Sequence, residues 1–122
     1  DVYVRRDAAQ TLRAVAEAIR ARTTEDDTIF DTSGSFFYFV TGRHNATGHD
    51  FLWPGFLTEQ EVDRLVRDLE QRRPALIVRR ETDEHVVGYA SFAGIFPTVA
   101  EFIETHYQPE IQIGEYALWT PK

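Results

Sequence analysis

The chain has 122 residues, 43% of them hydrophobic and 13% aromatic, with 13 basic against 20 acidic side chains and a net charge of −7. That length makes one domain able to bury roughly two-thirds of its unfolded surface, and that composition gives it a core, which excludes a disordered chain. The acidic balance supplies no basic field to release phosphate counterions, so nucleic acid is not an expected partner, and the lack of cysteine excludes disulfides, thiolate zinc sites and cysteine nucleophiles together.

No apolar run approaches the roughly 18 to 20 residues that span a bilayer, and no stretch has the pattern of a signal peptide. Met is absent throughout and the first residue is Asp1. The reading is a single domain, residues 1–122, from a processed chain or an excised domain, with removal of an initiator Met as the alternative.

Val2-Tyr3-Val4 reads as a short strand or a linker tail, punctuated by Arg5-Arg6-Asp7. Residues 8–22 are expected to be helical. Leu12, Val15, Ala16 and Ile19 repeat at i, i+3, i+4 and i+7, Arg13, Glu17 and Arg20 take the other face, and Asp7 is placed to cap the N-terminus. After a polar loop, Thr28-Ile29-Phe30-Asp31 is β-prone. The turn Thr32-Ser33-Gly34-Ser35 then leads into an aromatic block, Phe36-Phe37-Tyr38-Phe39-Val40, closed by Thr41-Gly42-Arg43. This is the pattern of strand, tight turn, buried helix and stop, with the aromatic block expected in the core between sheet and helix.

Residues 44–50 show little regularity, and the apolar residues around Pro54-Gly55 are expected to tuck the next loop onto the core. Thr58-Glu59-Gln60-Glu61 is a capping box; the helix it opens carries Val62, Leu65, Val66 and Leu69 on one face and ends at Arg72-Arg73-Pro74. Residues 75–78 form a continuous apolar run, as in a strand buried on both faces. Residues 79–84 read as a charged turn, and residues 85–94 are ambiguous between strand and loop. Pro97 suits the first turn of a helix over residues 98–107, with Val99, Phe102 and Ile103 inward. Ile111 and Ile113, then Gly114, then Tyr116 and Leu118 read as a hairpin or bent terminal strand. Alternation of this kind implies a small layered, Rossmann-like α/β domain, its sheet mostly parallel, flanked by helices, with an antiparallel C-terminal edge.

Chemistry has few places to sit. Asp31, Thr32, Ser33 and Ser35 lie where a strand ends and a helix begins, the edge at which α/β sheets bind anionic ligands; Arg43 closes the same stretch. The competing role is structural: Asp31 and Ser33 as helix caps, Gly34 as the turn. Asp31-Thr32 echoes an aspartic-protease motif, but that chemistry needs two carboxylates sharing a proton, the spacing carries an extra Ser, and an aromatic helix follows. His44, His49 and Asp50 are metal-ligating types on one loop with a spacing that fits no zinc motif. Asn45-Ala46-Thr47 matches the N-glycosylation pattern, a tripeptide of low specificity. No G-x-S-x-G elbow exists to support a hydrolase, and Trp53, Tyr89, Tyr107, Tyr116 and Trp119 serve either as sugar-stacking surfaces or as core and rim.

Three features in succession carry a resemblance: a strand-Asp followed by an aromatic helix ending in Gly-Arg (residues 31–43), a helix running into Arg-Arg-Pro-Ala-Leu-Ile-Val (residues 72–78), and Phe-Ile-x-x-x-Tyr leading to Tyr-x-Leu-Trp (residues 102–119). This order, over nearly the whole chain, resembles the C-terminal extracytoplasmic domain of bacterial GT-C type membrane glycosyltransferases of family 39, which include protein mannosyltransferases and lipid A aminoarabinose transferases. The resemblance implies a multi-spanning parent on whose periplasmic or outer face this domain lies. The parent would use a polyprenyl-phosphate sugar as donor, with a divalent metal in the parent and no cofactor in this domain. The implied partners are the parent's transmembrane part and a lipid-linked sugar or glycan acceptor. The family's catalytic acid lies between early transmembrane helices, so no catalytic residue carries over, and a non-catalytic accessory role is expected. The alternative is a self-contained α/β module that binds a small anionic ligand at the turn of residues 31–35.

Overall fold

A computed structural model describes residues 2–33, 36–47, 58–80 and 96–122, with the side chains of the first helix from Ala9 onward. Helix α1 spans Val2–Arg22, strand β1 Thr28–Asp31, helix α2 Phe36–Thr41, strand β2 His44–Asn45, helix α3 Glu59–Arg72 and strand β3 Leu76–Arg80. Helix α4 spans Pro97–His106 and leads directly into β4, Tyr107–Ile113, and β5, Tyr116–Pro121. The five strands form one mixed sheet in the order β2-β1-β3-β5-β4, with β1 parallel to both β2 and β3 and the pairs β3/β5 and β4/β5 antiparallel.

β1 and β3 are central because their residues are apolar on both faces. Ile29, Leu76 and Val78 point into one cluster with Val15, Ala16 and Ile19 of α1, Phe37 of α2, and Leu118. Phe30 and Ile77, one residue out of phase, point into the other cluster with Leu65 and Leu69 of α3, Val99, Phe102 and Ile103 of α4, and Trp119. The period of two in the strands therefore divides the domain into three layers, α1 and α2 below the sheet and α3 and α4 above it. The two crossovers run in opposite directions along the sheet, β1 to β2 by way of α2 and β2 back past β1 to β3 by way of α3. Helices on opposite faces give both crossovers the same hand.

Several elements follow from local chemistry. The Thr58 hydroxyl accepts from Glu61 N–H at 3.1 Å while the Glu61 carboxylate accepts from Thr58 N–H at 3.2 Å, so the expected capping box opens α3. Arg73 closes that helix in the left-handed region (φ 43°), donating its N–H to Leu69 C=O, and Pro74 prevents continuation. The tip of the β4–β5 hairpin needs Gly114 twice over: its φ is +60°, and a Cβ there would lie 3.0 Å from Thr11 Cγ2 on α1. Pro109 is tolerated in β4 because β4 is an edge strand, and the pairing shifts register between Pro109 and Ile111.

Four expectations need correction. The first helix begins at Val2, not after a strand or linker, so Asp7 lies inside it and cannot be its N-cap. Residues 44–45 form a short parallel strand, β2, held by the pairs Thr28↔His44 and Ile29↔Asn45. Arg79 and Arg80 are not in a turn; they continue β3 opposite Ala117 and Tyr116. The sheet is mixed, two pairings parallel and two antiparallel, rather than mostly parallel. The loops around Pro54-Gly55 and over residues 85–94 lie outside the described residues.

One buried bond fastens the α4–β4 junction to the rest. Tyr107, 1% exposed, donates its hydroxyl to Pro74 C=O at 2.7 Å across 33 residues of chain, and burial pushes the phenol up to about 12, which keeps it a donor at ordinary pH. Tyr107→Phe leaves that carbonyl without this donor and is expected to lower the urea unfolding free energy by about 1 to 2 kcal/mol with an unchanged m-value.

Candidate functional site

β1 and β3 are parallel neighbours; the carboxyl end of β1 leads into α2 below the sheet, and the chain after β3, residues 81–95, lies outside the described residues. The carboxyl edge of such a sheet is where α/β domains bind ligands. Asp31, Thr32 and Ser33 stand at that edge beside Arg79 and Arg80.

The described groups there are engaged with one another. Thr32 N–H and hydroxyl both donate to Val78 C=O, at 2.9 and 3.0 Å, and the same hydroxyl accepts from Arg80 N–H at 3.2 Å, which closes the seam between the strands. Arg80 extends toward the hairpin, with Nε 3.1 Å from a Glu115 carboxylate oxygen and its guanidinium 6.0 Å from the Tyr116 ring centre. Arg79 is buried, its guanidinium 5.1 Å above Trp119 and 3.8 Å from Glu104.

Asp31 is 1% exposed. Its Oδ1 accepts from Ser33 N–H at 2.8 Å and from the Ser33 hydroxyl at 2.6 Å, and its Oδ2 faces Phe37 N–H at 3.4 Å. Its own N–H donates to the Tyr38 hydroxyl at 2.8 Å. Burial raises its pKa from 3.8 to about 6, against the three donors, which favour the charged form. The carboxylate thus sits over the start of α2, where a bound anion would sit, and acts as the helix cap. Ser35 lies outside the described residues.

Arg43 is not brought to this cluster. It precedes β2, whose first residue pairs with the first of β1, so it lies at the opposite end of the strand, about 10 Å away along β1. There Nε donates to the Thr23 hydroxyl at 2.9 Å, Nη2 to Thr23 C=O at 3.0 Å and Nη1 to Thr41 C=O at 2.9 Å, tying the end of α1 to the end of α2. No group of three or more His, Asp or Glu side chains gathers as a metal site among the described residues; His44 is exposed on β2, and His49 and Asp50 lie outside them. Asn45 Oδ1 accepts from Thr47 N–H and hydroxyl at 2.8 and 3.1 Å, so the Asn-Ala-Thr tripeptide forms a local turn. Of the aromatic residues considered for sugar stacking, Tyr107 and Trp119 are buried and Tyr116 is half-buried under Arg80 and Phe37.

The surface missed in the sequence is on α2. Phe37 is buried, but Phe36 is 47% and Phe39 89% exposed, which corrects the expectation of a wholly buried aromatic block. A helix of six residues can turn only one side to the sheet, and five consecutive apolar residues cannot share it; that arithmetic was the available signal. Between α1 and α2 runs an open groove of about 320 Å³, floored by Ala9, Leu12, Ala16, Phe36 and Val40 and edged by Arg13 and Arg20. Comparison with family models, curated proteins and solved structures finds no match to this chain.

The raised pKa of Asp31 sets a pH dependence. Between about pH 4 and pH 6 the folded chain holds a proton that the unfolded chain has released, so the stability from this group is full below pH 4 and is lost as the pH rises through 6. The Asp31-dependent part of the unfolding free energy is expected to fall by about 2.5 kcal/mol from pH 4 to pH 7. Asp31→Asn should lack that fall, as the difference between urea titrations of the two proteins over this pH range will show.

Proposed function

We propose that this chain is a non-catalytic accessory domain of a polyprenyl-phosphate-sugar-dependent membrane glycosyltransferase. On this reading it lies on the extracytoplasmic face as part of a multi-spanning protein and acts by contact, assisting donor or acceptor binding. The observation that carries the non-catalytic part is the state of the sheet's carboxyl edge, where Asp31, Thr32 and Ser33 are spent on capping α2 and on sealing β1 to β3. The glycosyltransferase part rests on the order of sequence motifs, which coincide with junctions of the fold. The strand-Asp and aromatic helix are β1 and α2, Arg-Arg-Pro-Ala-Leu-Ile-Val is the α3 stop and β3, and Phe-Ile-x-x-x-Tyr and Tyr-x-Leu-Trp are α4 into β4 and β5. The parallel half of the sheet, with helices on alternate faces, supports the Rossmann-like description. The donor sugar phosphate and the divalent metal belong, on this reading, to the transmembrane part.

The alternative, an anion-binding module at residues 31–35, is weakened by the Asp31 carboxylate, which already holds the donors an anion would need. Two measurements decide between them. In membranes carrying the full-length protein, transfer from a polyprenyl-phosphate sugar should fall at least about tenfold, roughly 1.4 kcal/mol of transition-state stabilisation, when this domain is deleted. It should change less than about twofold, roughly 0.4 kcal/mol, in Ser33→Ala. A reading frame without hydrophobic spans beside this domain sinks the proposal. In a thermal-shift screen of nucleotides and sugar phosphates the 122-residue chain should show no stabilisation; a shift abolished by Ser33→Ala would establish the alternative.

A further inference from the structure

The groove between α1 and α2 differs in charge from the chain around it. Acidic residues outnumber basic ones 20 to 13 overall, yet among the described residues the ionisable ones lining the groove are Arg13 and Arg20. They are seven residues apart on α1, two turns or about 10 Å along one edge. Arg20 is fixed there by donating Nη2 to Val40 C=O at 2.5 Å. Glu17, four residues after Arg13 and three before Arg20, neighbours both on α1 without lining the groove.

The apolar part is equally specific. Phe36 leans its ring edge-to-face on Phe37 at 5.2 Å, and Phe37 does the same on Tyr116 at 5.5 Å, so the exposed ring is held by a chain of contacts reaching into the sheet. Phe39, one turn on, is 89% exposed and stands outermost on α2. Two exposed phenylalanines, a shallow apolar groove and two arginines beside it make an amphipathic surface of the kind that lies in a lipid interface.

We propose that this face docks onto an anionic phospholipid surface. Phe39 and Phe36 enter the headgroup–acyl boundary, and the guanidinium groups of Arg13 and Arg20 meet the lipid phosphates, for which their planar donors are suited. Charge complementarity argues for this occupant. With a net charge of −7 most of the molecule is repelled by an anionic bilayer, which favours approach by a face edged with arginines, as this one is. The apolar part also consists of separate rings on a six-residue helix, and each ring inserted into lipid needs no matching surface. The inference is independent of the glycosyltransferase reading, since it concerns the isolated chain and lipid alone.

The test is sedimentation of the 122-residue chain with vesicles of phosphatidylcholine, and of phosphatidylcholine mixed with phosphatidylglycerol. The chain should sediment with the mixed vesicles only, and less so in high salt. Phe39→Ser and Arg13→Glu, both at exposed positions, should each lower the partition coefficient about tenfold while leaving the circular dichroism spectrum and Tm unchanged. The proposal is overturned by sedimentation with neither vesicle, by equal binding to both, or by binding that survives both substitutions. It is likewise overturned if the chain is a dimer in analytical ultracentrifugation and Phe39→Ser dissociates it without altering vesicle binding, since the face would then be a contact between copies. Because the readout is lipid binding and not sugar transfer, its failure leaves the accessory-domain reading standing, and the reverse also holds.

Discussion

The pairing of β1 with β3 is the constraint on which the rest of this domain depends. Both strands are buried on both faces, and each pair, Ile29 with Leu76, Phe30 with Ile77, Asp31 with Val78, fixes side chains in alternate layers. A slip of one residue would exchange the two faces and send Phe30 and Ile77 into the space built for Ile29, Leu76 and Val78. With each large apolar side chain worth about 1.5 to 3 kcal/mol when buried, that slip is prohibitive. The Thr32 hydroxyl, bonded to both Val78 and Arg80, locks the register at its carboxyl end.

That lock explains why the carboxyl edge of β1 and β3 is structural in its described chemistry. An aspartate at the end of β1 must satisfy its carboxylate inside the protein, and the nearest described donors are the Ser33 amide and hydroxyl in the turn, with the Phe37 amide of α2 farther off. The hydrogen bonds do not fully offset the cost of burial, and the pKa of about 6 records the difference. Asp31 therefore costs stability at neutral pH while specifying where α2 begins. The same economy governs Arg43, whose three side-chain bonds to Thr23 and Thr41 join the ends of α1 and α2 and keep the two helices side by side.

Holding α1 beside α2 in turn creates the groove. The small side chains Ala9 and Ala16 leave it open, and α2 is too short to hide its own aromatics, so exposed apolar surface and two arginines meet on one face of an acidic molecule. Rigidity at the sheet edge and exposure on α2 are thus two results of one packing arrangement.

Much of this architecture was legible in the residues. The 3.6-residue repeats of α1 and α3, the capping box at Thr58, the stop at Arg73-Pro74, Pro97 at the start of α4 and Gly114 at the hairpin tip are local signals, set by interactions within a few residues of chain. Asp31 as a cap was readable for the same reason. Strand β2 was not, because two residues carry no period and exist as a strand only by pairing with β1. Arg79 and Arg80 looked like a turn because charge suggests solvent; β5 and Trp119 decide otherwise by offering ladder bonds and an aromatic face. The sequence by itself determined the main body of α1, α3 and α4, the apolar centres of β1 and β3, and the apolar faces of those helices, since these depend on neighbours in the chain. Only the tertiary structure decided that Arg43 and Asp31 stand at opposite ends of β1, and that Phe36 and Phe39 remain outside while Phe37 goes in. Those outcomes depend on which surfaces the sheet has left to cover, a quantity fixed by contacts between residues far apart in the chain.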